Sequence, residues 1–388
     1  MPISGAAGDL TLAHMLGADF YDPRWETLLN IMTVDEMRYI IETAGYRTAS
    51  AESIVKPATL DVDGPAALNV PMGFVEIVGG AGAGINFDGR TAFPSSSTLA
   101  STWNVELAYE FGRAIGNEAL HVSPTVSGWY APGMNAHRSP FGGRVFEYYS
   151  EDPILGGLIG AHVIRGIQSM GVTTYVKHFA INEQETNHEN LLLTWVNEQA
   201  MREIYLRQFE LAVKIGGARG IMTAFNYVGP RWAGGCPYLL RYLLRDEWGF
   251  RGTVITDFAM SGTGGGYMNP DQAIRAGNDI ILNPWGENRV ANINDATTVH
   301  FLREATRNVL WSTVNSNAMN GFANPERLEE AMALAAFPGS IGATQQEAQP
   351  PTWYAILLAV NIGLGVLIAG VLCFVVLKLV KEGKRKAV

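Results

Sequence analysis

Cysteine is nearly absent: the 388 residues contain two, Cys236 and Cys373, far apart and in different contexts. That excludes a disulfide framework and a cysteine-built zinc site, and it leaves the redox compartment open. Positive charge is also scarce. Lys and Arg number 28 against 37 Asp and Glu, a formal net charge of −9, so the chain as a whole is not built to bind nucleic acid. The Gly-rich stretch "SGTGGG" is not followed by Gly-Lys-Ser/Thr, which excludes a phosphate loop. The opening "MPISGAAGDLTLAHMLG" has no charged segment leading into a sustained apolar one, as an export signal would.

Apolar residues make up 47% of the chain, enough for one large domain or two ordinary ones, and the 43 glycines suit many tight turns. Residues 353–377, "WYAILLAVNIGLGVLIAGVLCFVVL", carry no ionisable side chain and begin with two aromatics. At about 1.5 Å per residue such a run is long enough to cross a hydrocarbon core of about 30 Å. The tail "KLVKEGKRKAV" adds five basic residues and one acid, which places it on the cytoplasmic side. The expectation is a single-pass membrane protein, its acidic domain extracytoplasmic and its C-terminus cytoplasmic. The missing export signal then leaves two readings, a C-terminal piece of something longer, which the topology above requires, or a tail-anchored protein of the opposite topology.

Between residues 25 and 335, short β-rich runs alternate with longer segments of helical period. Strands are predicted at 58–62, 91–93, 119–124, 172–179, 220–225, 252–257 and 279–282; helices at 98–117, 153–170, 194–215, 237–247, 270–276 and 295–315. Repeated strand, crossover helix and strand means a parallel sheet, and the count fits a (β/α)8 TIM-type barrel with one strand missed or irregular. The boundaries are a lead-in at 1–24, a barrel at 25–336, a linker at 337–352, a transmembrane helix at 353–377 and a basic tail at 378–388.

Several strand candidates run apolar and then end on a polar group: Asp61 and Asp63, Lys177 and His178, Asn226, Asp257, Asn283. A buried charge is costly unless paired or opened to a cavity. A shared polar site at the C-terminal mouth of a barrel explains such endings together. Read alone, each stays open: Asp257 as a helix cap or a catalytic acid, Asp63 as a turn cap or a ligand group. "HRSPFGGRVFEYYSEDP" (137–153) sets arginines beside aromatic rings, as sugar sites and ordinary loops both do. His178, Glu183, Glu185 and His188 do not fit a metal site, because the histidines are ten residues apart without a close-pair motif. No cofactor is expected.

Seven stretches in order resemble the catalytic barrel of glycoside hydrolase family 3, the β-glucosidase family. They are "DGP", "FP…LA…WN", "GGRVFEYYSEDPILGG", "VKHFAINEQE", "MREIYL", "MTAFN" and "LLRDEWGFRGTVITD", spread over residues 25 to about 335. The resemblance implies hydrolysis of β-glucosides or similar glycosides at the non-reducing end, with retention. Asp257 matches the nucleophile. Asp63, Arg144, Lys177 and His178 match residues that hold the hydroxyls of the sugar. Lys177 would help keep Asp257 ionised, while Glu183 and Glu185 brace the loop.

The departures alter the expectation. Asn69 stands where the family commonly has Arg, Phe225 where Tyr is common, Phe258 where Trp is, and His188 where Arg is. Retention also needs a second carboxyl as acid/base. The family mostly draws it from an α/β-sandwich domain, for which this chain has no room, and the loop "AINEQETNHEN" lacks the "GHG…DSH" signature of the family's alternative. The acid/base is therefore expected from a preceding domain, as in members of swapped domain order, or from a separate subunit. The other reading is a catalytically incomplete, carbohydrate-binding relic of the same fold.

Overall fold

The computed structural model describes residues 1–69, 90–122, 125–259, 264–283 and 288–320. In chain order the strands are β1 (Arg47–Thr48), β2 (Thr59–Val62), β3 (Val126–Trp129), β4 (Thr173–Phe179), β5 (Leu193–Thr194), β6 (Gly220–Thr223), β7 (Tyr227–Val228), β8 (Arg231–Trp232) and β9 (Thr253–Ile255). The main sheet has the order β1-β2-β3-β4-β6-β9, and β5, β7 and β8 form a separate small one. From β2 to β9 every pairing in the main sheet is parallel. Bridges Ile255↔Ile280 and Ala44↔Leu282 carry the ladder on from β9 and back to the segment ahead of β1. Ile281 N donates to Ile41 O at 2.9 Å and Asn283 N to Ala44 O at 2.7 Å, so the sheet curls until its two ends are joined.

Strand β4, "TTYVKHF", is buried at all seven positions, as expected where both faces of a parallel strand are covered. Outside it, helices Val105–His121 and Pro153–Ser169 pack side by side, and Arg207–Lys214 lies against the second of them. The sequence marks their starts. Asn104 accepts from Leu107 N, and Asp152 accepts from Ile154 N and Leu155 N with Pro153 in the first turn. Phe179 and Phe209, ring centroids 5.3 Å apart, join β4 to the Arg207–Lys214 helix.

The expected fold class is corrected on two counts. The sheet is mixed rather than all-parallel, because β1 pairs antiparallel with β2. The connection between them is too short for a crossover helix and folds back through the turn Glu52–Ile54, closed by the antiparallel bridge Ala51↔Lys56. The membrane expectation fails as well: no helix among the described residues is long and apolar enough to cross a membrane. The longest of them, Ala296–Val314, carries Arg303, Glu304 and Arg307. The C-terminal transmembrane helix, the membrane partner and the single-pass, extracytoplasmic localisation are therefore withdrawn. The run 353–377 that suggested them lies outside the described residues, as do the linker and tail.

Two predicted strands also differ. Residues 119–121 complete the helix Val105–His121, where buried Ala119 continues the helix's inner face, and the strand begins only at Val126. Residues 91–93 are loop, and Phe93 docks edge-on against Phe111 at 5.1 Å rather than joining a ladder. The predicted helix 194–215 is broken: β5 takes its start and a π-turn at Met201–Tyr205 interrupts it.

Candidate active site

Lys177 and His178 stand just before the last residue of the buried strand β4, and both side chains are buried. Lys177 Nζ donates to Asp63 Oδ1 at 2.7 Å and stands 3.2 Å from Glu147 Oε1. Burial alone would push the ammonium down, but Asp63 and Glu147 outweigh it and hold Lys177 above its ordinary range. Arg144 grips the other oxygen of Glu147, with Nε 2.7 Å and Nη2 2.6 Å from Oε2. Burial would raise Glu147, yet Lys177 and Arg144 together hold it below the usual carboxylate range. Glu147 is thus a clamp between the two cations.

His178 is pinned through its backbone: its N–H donates to Asn135 Oδ1 at 2.8 Å, and Asn135 Nδ2 donates to its carbonyl at 3.2 Å. Arg144 Nη1 lies 3.0 Å from His178 Nε2. A guanidinium can only donate, so Nε2 is the acceptor and the ring proton sits on Nδ1, facing the Tyr148 hydroxyl at 3.5 Å. Burial, then Arg144 and Lys177, keep the imidazole well below its ordinary value, and it is neutral.

Asp257 follows β9, with Oδ1 accepting from Phe258 N at 2.9 Å and Oδ2 3.7 Å from His178 Nε2. Burial pushes its carboxyl up to about 7, against the Phe258 N–H, Arg144 and Lys177, which favour the charged form. All five residues expected at the site, Asp63, Arg144, Lys177, His178 and Asp257, line one cavity of about 270 Å³. Phe225, Phe258 and Tyr130 supply apolar wall. The volume is small for a ligand site, and the lining is more strongly charged than the mostly apolar walls usual there.

The loop after β4 divides into bracing and lining. Glu183 is half-buried and does not line the cavity; it accepts from Asn135 Nδ2 and Ala136 N, both at 3.3 Å, and desolvation of its carboxyl raises it to about 7. Glu185 both braces and lines: Oε1 accepts from Asn182 Nδ2 at 3.0 Å, and Oε2 is 3.5 Å from His188 Nδ1. His188 faces the cavity with Phe225, ring centroids 5.0 Å apart, and its Nε2 is 3.5 Å from Glu189 Oε1. Sequence reasoning missed Glu147 and Glu189. The spacing Arg144 to Glu147, three residues apart, was the available signal for the first; nothing in the sequence distinguished the second.

A sequence model described as the glycosyl hydrolase family 3 N terminal domain matches residues 47–306. The chain belongs to glycosyl hydrolase family 3. Among its relatives, beta-glucosidase A of Butyrivibrio fibrisolvens is 43% identical over 192 residues, 50% of this chain and 22% of that protein. A beta-glucosidase of Rhizobium radiobacter is 34% identical over 291 residues, 74% of this chain and 33% of that one. The solved structure of beta-glucosidase 3B from Thermotoga neapolitana in complex with glucose superposes with a TM-score of 0.65 at 32% identity, covering 80% of this chain and 46% of that one. This family 3 chain thus spans less than half the length of each of these proteins.

Proposed function

We propose that the chain carries the sugar-binding and nucleophilic half of a retaining glycoside hydrolase that acts on β-glucosides or similar glycosides at the non-reducing end. The observation that carries this reading is the cavity that brings Asp257 together with Asp63, Arg144, Lys177 and His178. Asp257 is the nucleophile. It attacks the anomeric carbon and forms a glycosyl-enzyme that water then hydrolyses. Asp63, Lys177 and His178 hold the sugar hydroxyls, and contacts that tighten in the oxocarbenium-like transition state lower the barrier. Arg144 and Glu147 hold Lys177 and His178 in place.

The leaving oxygen also needs a proton. Its donor is proposed to be a carboxyl outside the described residues, in a domain or subunit of the kind that the greater length of the relatives allows. The reading is tested with a 2-deoxy-2-fluoro-β-glucoside whose dinitrophenolate leaving group needs no protonation. One equivalent of phenolate released, with the sugar attached to Asp257 by peptide mass spectrometry, is the expected result. Sugar binding that Lys177→Ala abolishes, with no adduct on Asp257, would instead establish the catalytically incomplete binding relic. That second reading draws on the same short span of the chain.

A further inference from the structure

A second internal space lies at the other end of the curled sheet from the catalytic cavity. Thr59, Thr173 and Thr253 line it, each four residues ahead of a residue of the catalytic cavity: Asp63, Lys177 and Asp257. Four residues of strand span about 13 Å, so the two spaces are separate. The volume is about 10 Å³, room for one occupant of about the size of a water molecule. Every lining residue is buried; nine carry a hydroxyl, one is Asp61 and one is Val309.

Several of these hydroxyls commit their protons away from the space. Ser316 Oγ donates to Thr313 O at 2.7 Å, Thr313 Oγ1 to Val309 O at 2.9 Å and Ser312 Oγ to Arg219 O at 3.2 Å. Thr253 Oγ1 donates to Ser312 Oγ at 2.8 Å. Such oxygens have only lone pairs left to offer. Asp61 adds charge: it is 2% exposed, its Oδ1 accepts from Thr59 Oγ1 at 3.3 Å, and no group among the described residues donates to its Oδ2. A buried carboxylate oxygen without a partner is costly and calls for a compensating group.

Lys56 does not supply that group. Its Nζ donates to Thr48 Oγ1 at 3.0 Å, Ala49 O at 2.7 Å and Pro57 O at 2.8 Å, which uses all three of its protons. It stands apart from Asp61, across Thr48 and Thr59, whose hydroxyls are 2.8 Å from each other. Burial raises Asp61 to about 7 and lowers Lys56 to about 7, so their attraction does not make up for the lost water. Tyr130 and Tyr175 are the other titratable groups facing Asp61, and burial keeps both neutral. The Tyr130 hydroxyl favours the charged carboxyl without hydrogen-bonding to it.

We propose that this space is a binding site for one sodium ion, held by Asp61 and the hydroxyl oxygens of Thr253, Ser312, Thr313 and Ser316. Oxygen donors suit a hard cation rather than a transition metal, and one carboxylate beside an ammonium is too little charge for a divalent ion. Among the described residues no three His, Cys, Asp or Glu side chains gather to hold a metal ion. Bound there, the cation ties the starts of β2 and β9 to the helix Ala296–Val314. Lys56, already lowered by burial, can release its proton as the second cation enters. The site is independent of the reading of the catalytic cavity. A water molecule is the alternative occupant, and the test separates the two.

The experiment follows thermal unfolding of the full chain at pH 8, in sodium chloride and in choline chloride at equal ionic strength. Sodium should raise the midpoint along a saturating curve, by about 2–4 °C over choline at the plateau. Asp61→Asn should lose that rise. Lys56→Met, which removes the competing ammonium, should reach it at lower sodium. Crystals of the wild type soaked in thallium(I) acetate should show an anomalous peak beside Asp61, a readout that needs no variant to fold. Equal midpoints in the two salts, a sodium response that Asp61→Asn retains, or a water without an anomalous peak in the space would each overturn the proposal.

Discussion

His178 Nε2 stands 3.7 Å from Asp257 Oδ2, yet the two do not form an ion pair, because Arg144 occupies that nitrogen at 3.0 Å and the ring is neutral. The positive charge that steadies Asp257 comes from Arg144 and Lys177 instead, and burial outweighs both.

The first prediction is the pH dependence of nucleophilic attack. Asp257 must be ionised to attack, and in the empty cavity its carboxyl titrates near 7. The rate of trapping by an activated fluoro-glucoside should therefore rise with pH and level off above about 7. Lys177→Met removes a cation that favours the carboxylate, so it should move the limb to higher pH as well as weaken binding. A limb near 4 in the wild type would show that the carboxylate is better stabilised than this geometry allows.

A second concerns Glu147, whose two oxygens meet Lys177 and Arg144. Glu147→Ala leaves buried Lys177 and half-buried Arg144 facing each other without their shared anion. Breaking a buried pair on one side costs about 3–5 kcal/mol, read as a lower urea midpoint. Trapping at Asp257 should slow as well, because Lys177 and Arg144 lose the group that positions them. Unchanged stability would mean that water reaches and screens this cluster.

Glu183 gives a third test, this time of stability alone. Its folded carboxyl is raised to about 7 by burial, whereas the unfolded group titrates near its ordinary 4.5. The folded state therefore holds a proton that the unfolded state has released, and stability is lost as pH climbs from about 4.5 through 7. Glu183→Gln cannot titrate, so its urea midpoint should fall less between pH 5 and pH 8 than that of the wild type. Equal slopes would show that Glu183 is ionised in the fold throughout.

The site was more legible than the architecture around it. Lys177, His178 and Asp257 end strands whose β-branched, apolar runs are plain in the sequence, and the helices at 153–169 and 270–276 have caps that can be read directly. Asp63 stands out in the sequence as a strand-end acid that reads equally as turn cap or ligand group, and Arg144 as an arginine beside aromatic rings; only the resemblance decides for both, because the loops holding them have no period. The antiparallel β1 was missed, since two residues of strand carry no pattern and its partner is chosen by a turn. The strand at 119–124 went wrong because "ALHV" reads alike as the end of a helix and the start of a strand, and only packing decides. The uncharged run of 25 residues suggests a membrane span only because composition alone carries no information on what surrounds it.

The last prediction links the frame to the chemistry through Gly252. Its φ is +139°, and a Cβ added there would fall 2.0 Å from Arg219 O. That carbonyl accepts from Thr253 N at 2.9 Å, the bond that opens the β6–β9 ladder and sets the register of the strand leading to Asp257. Gly252→Ala must therefore push β9 off β6 at its first rung, costing about 1–3 kcal/mol from the clash and about 1–2 kcal/mol more from the left-handed backbone. Gly217 serves as the control: it also has positive φ, at +62°, but an added Cβ would meet nothing within 4 Å. Gly217→Ala should show the backbone cost alone and trap the fluoro-glucoside at the wild-type rate, whereas Gly252→Ala should be the less stable of the two and trap it more slowly. Equal melting temperatures and equal trapping rates for the two variants would mean that the register of β9 is set elsewhere than at this rung.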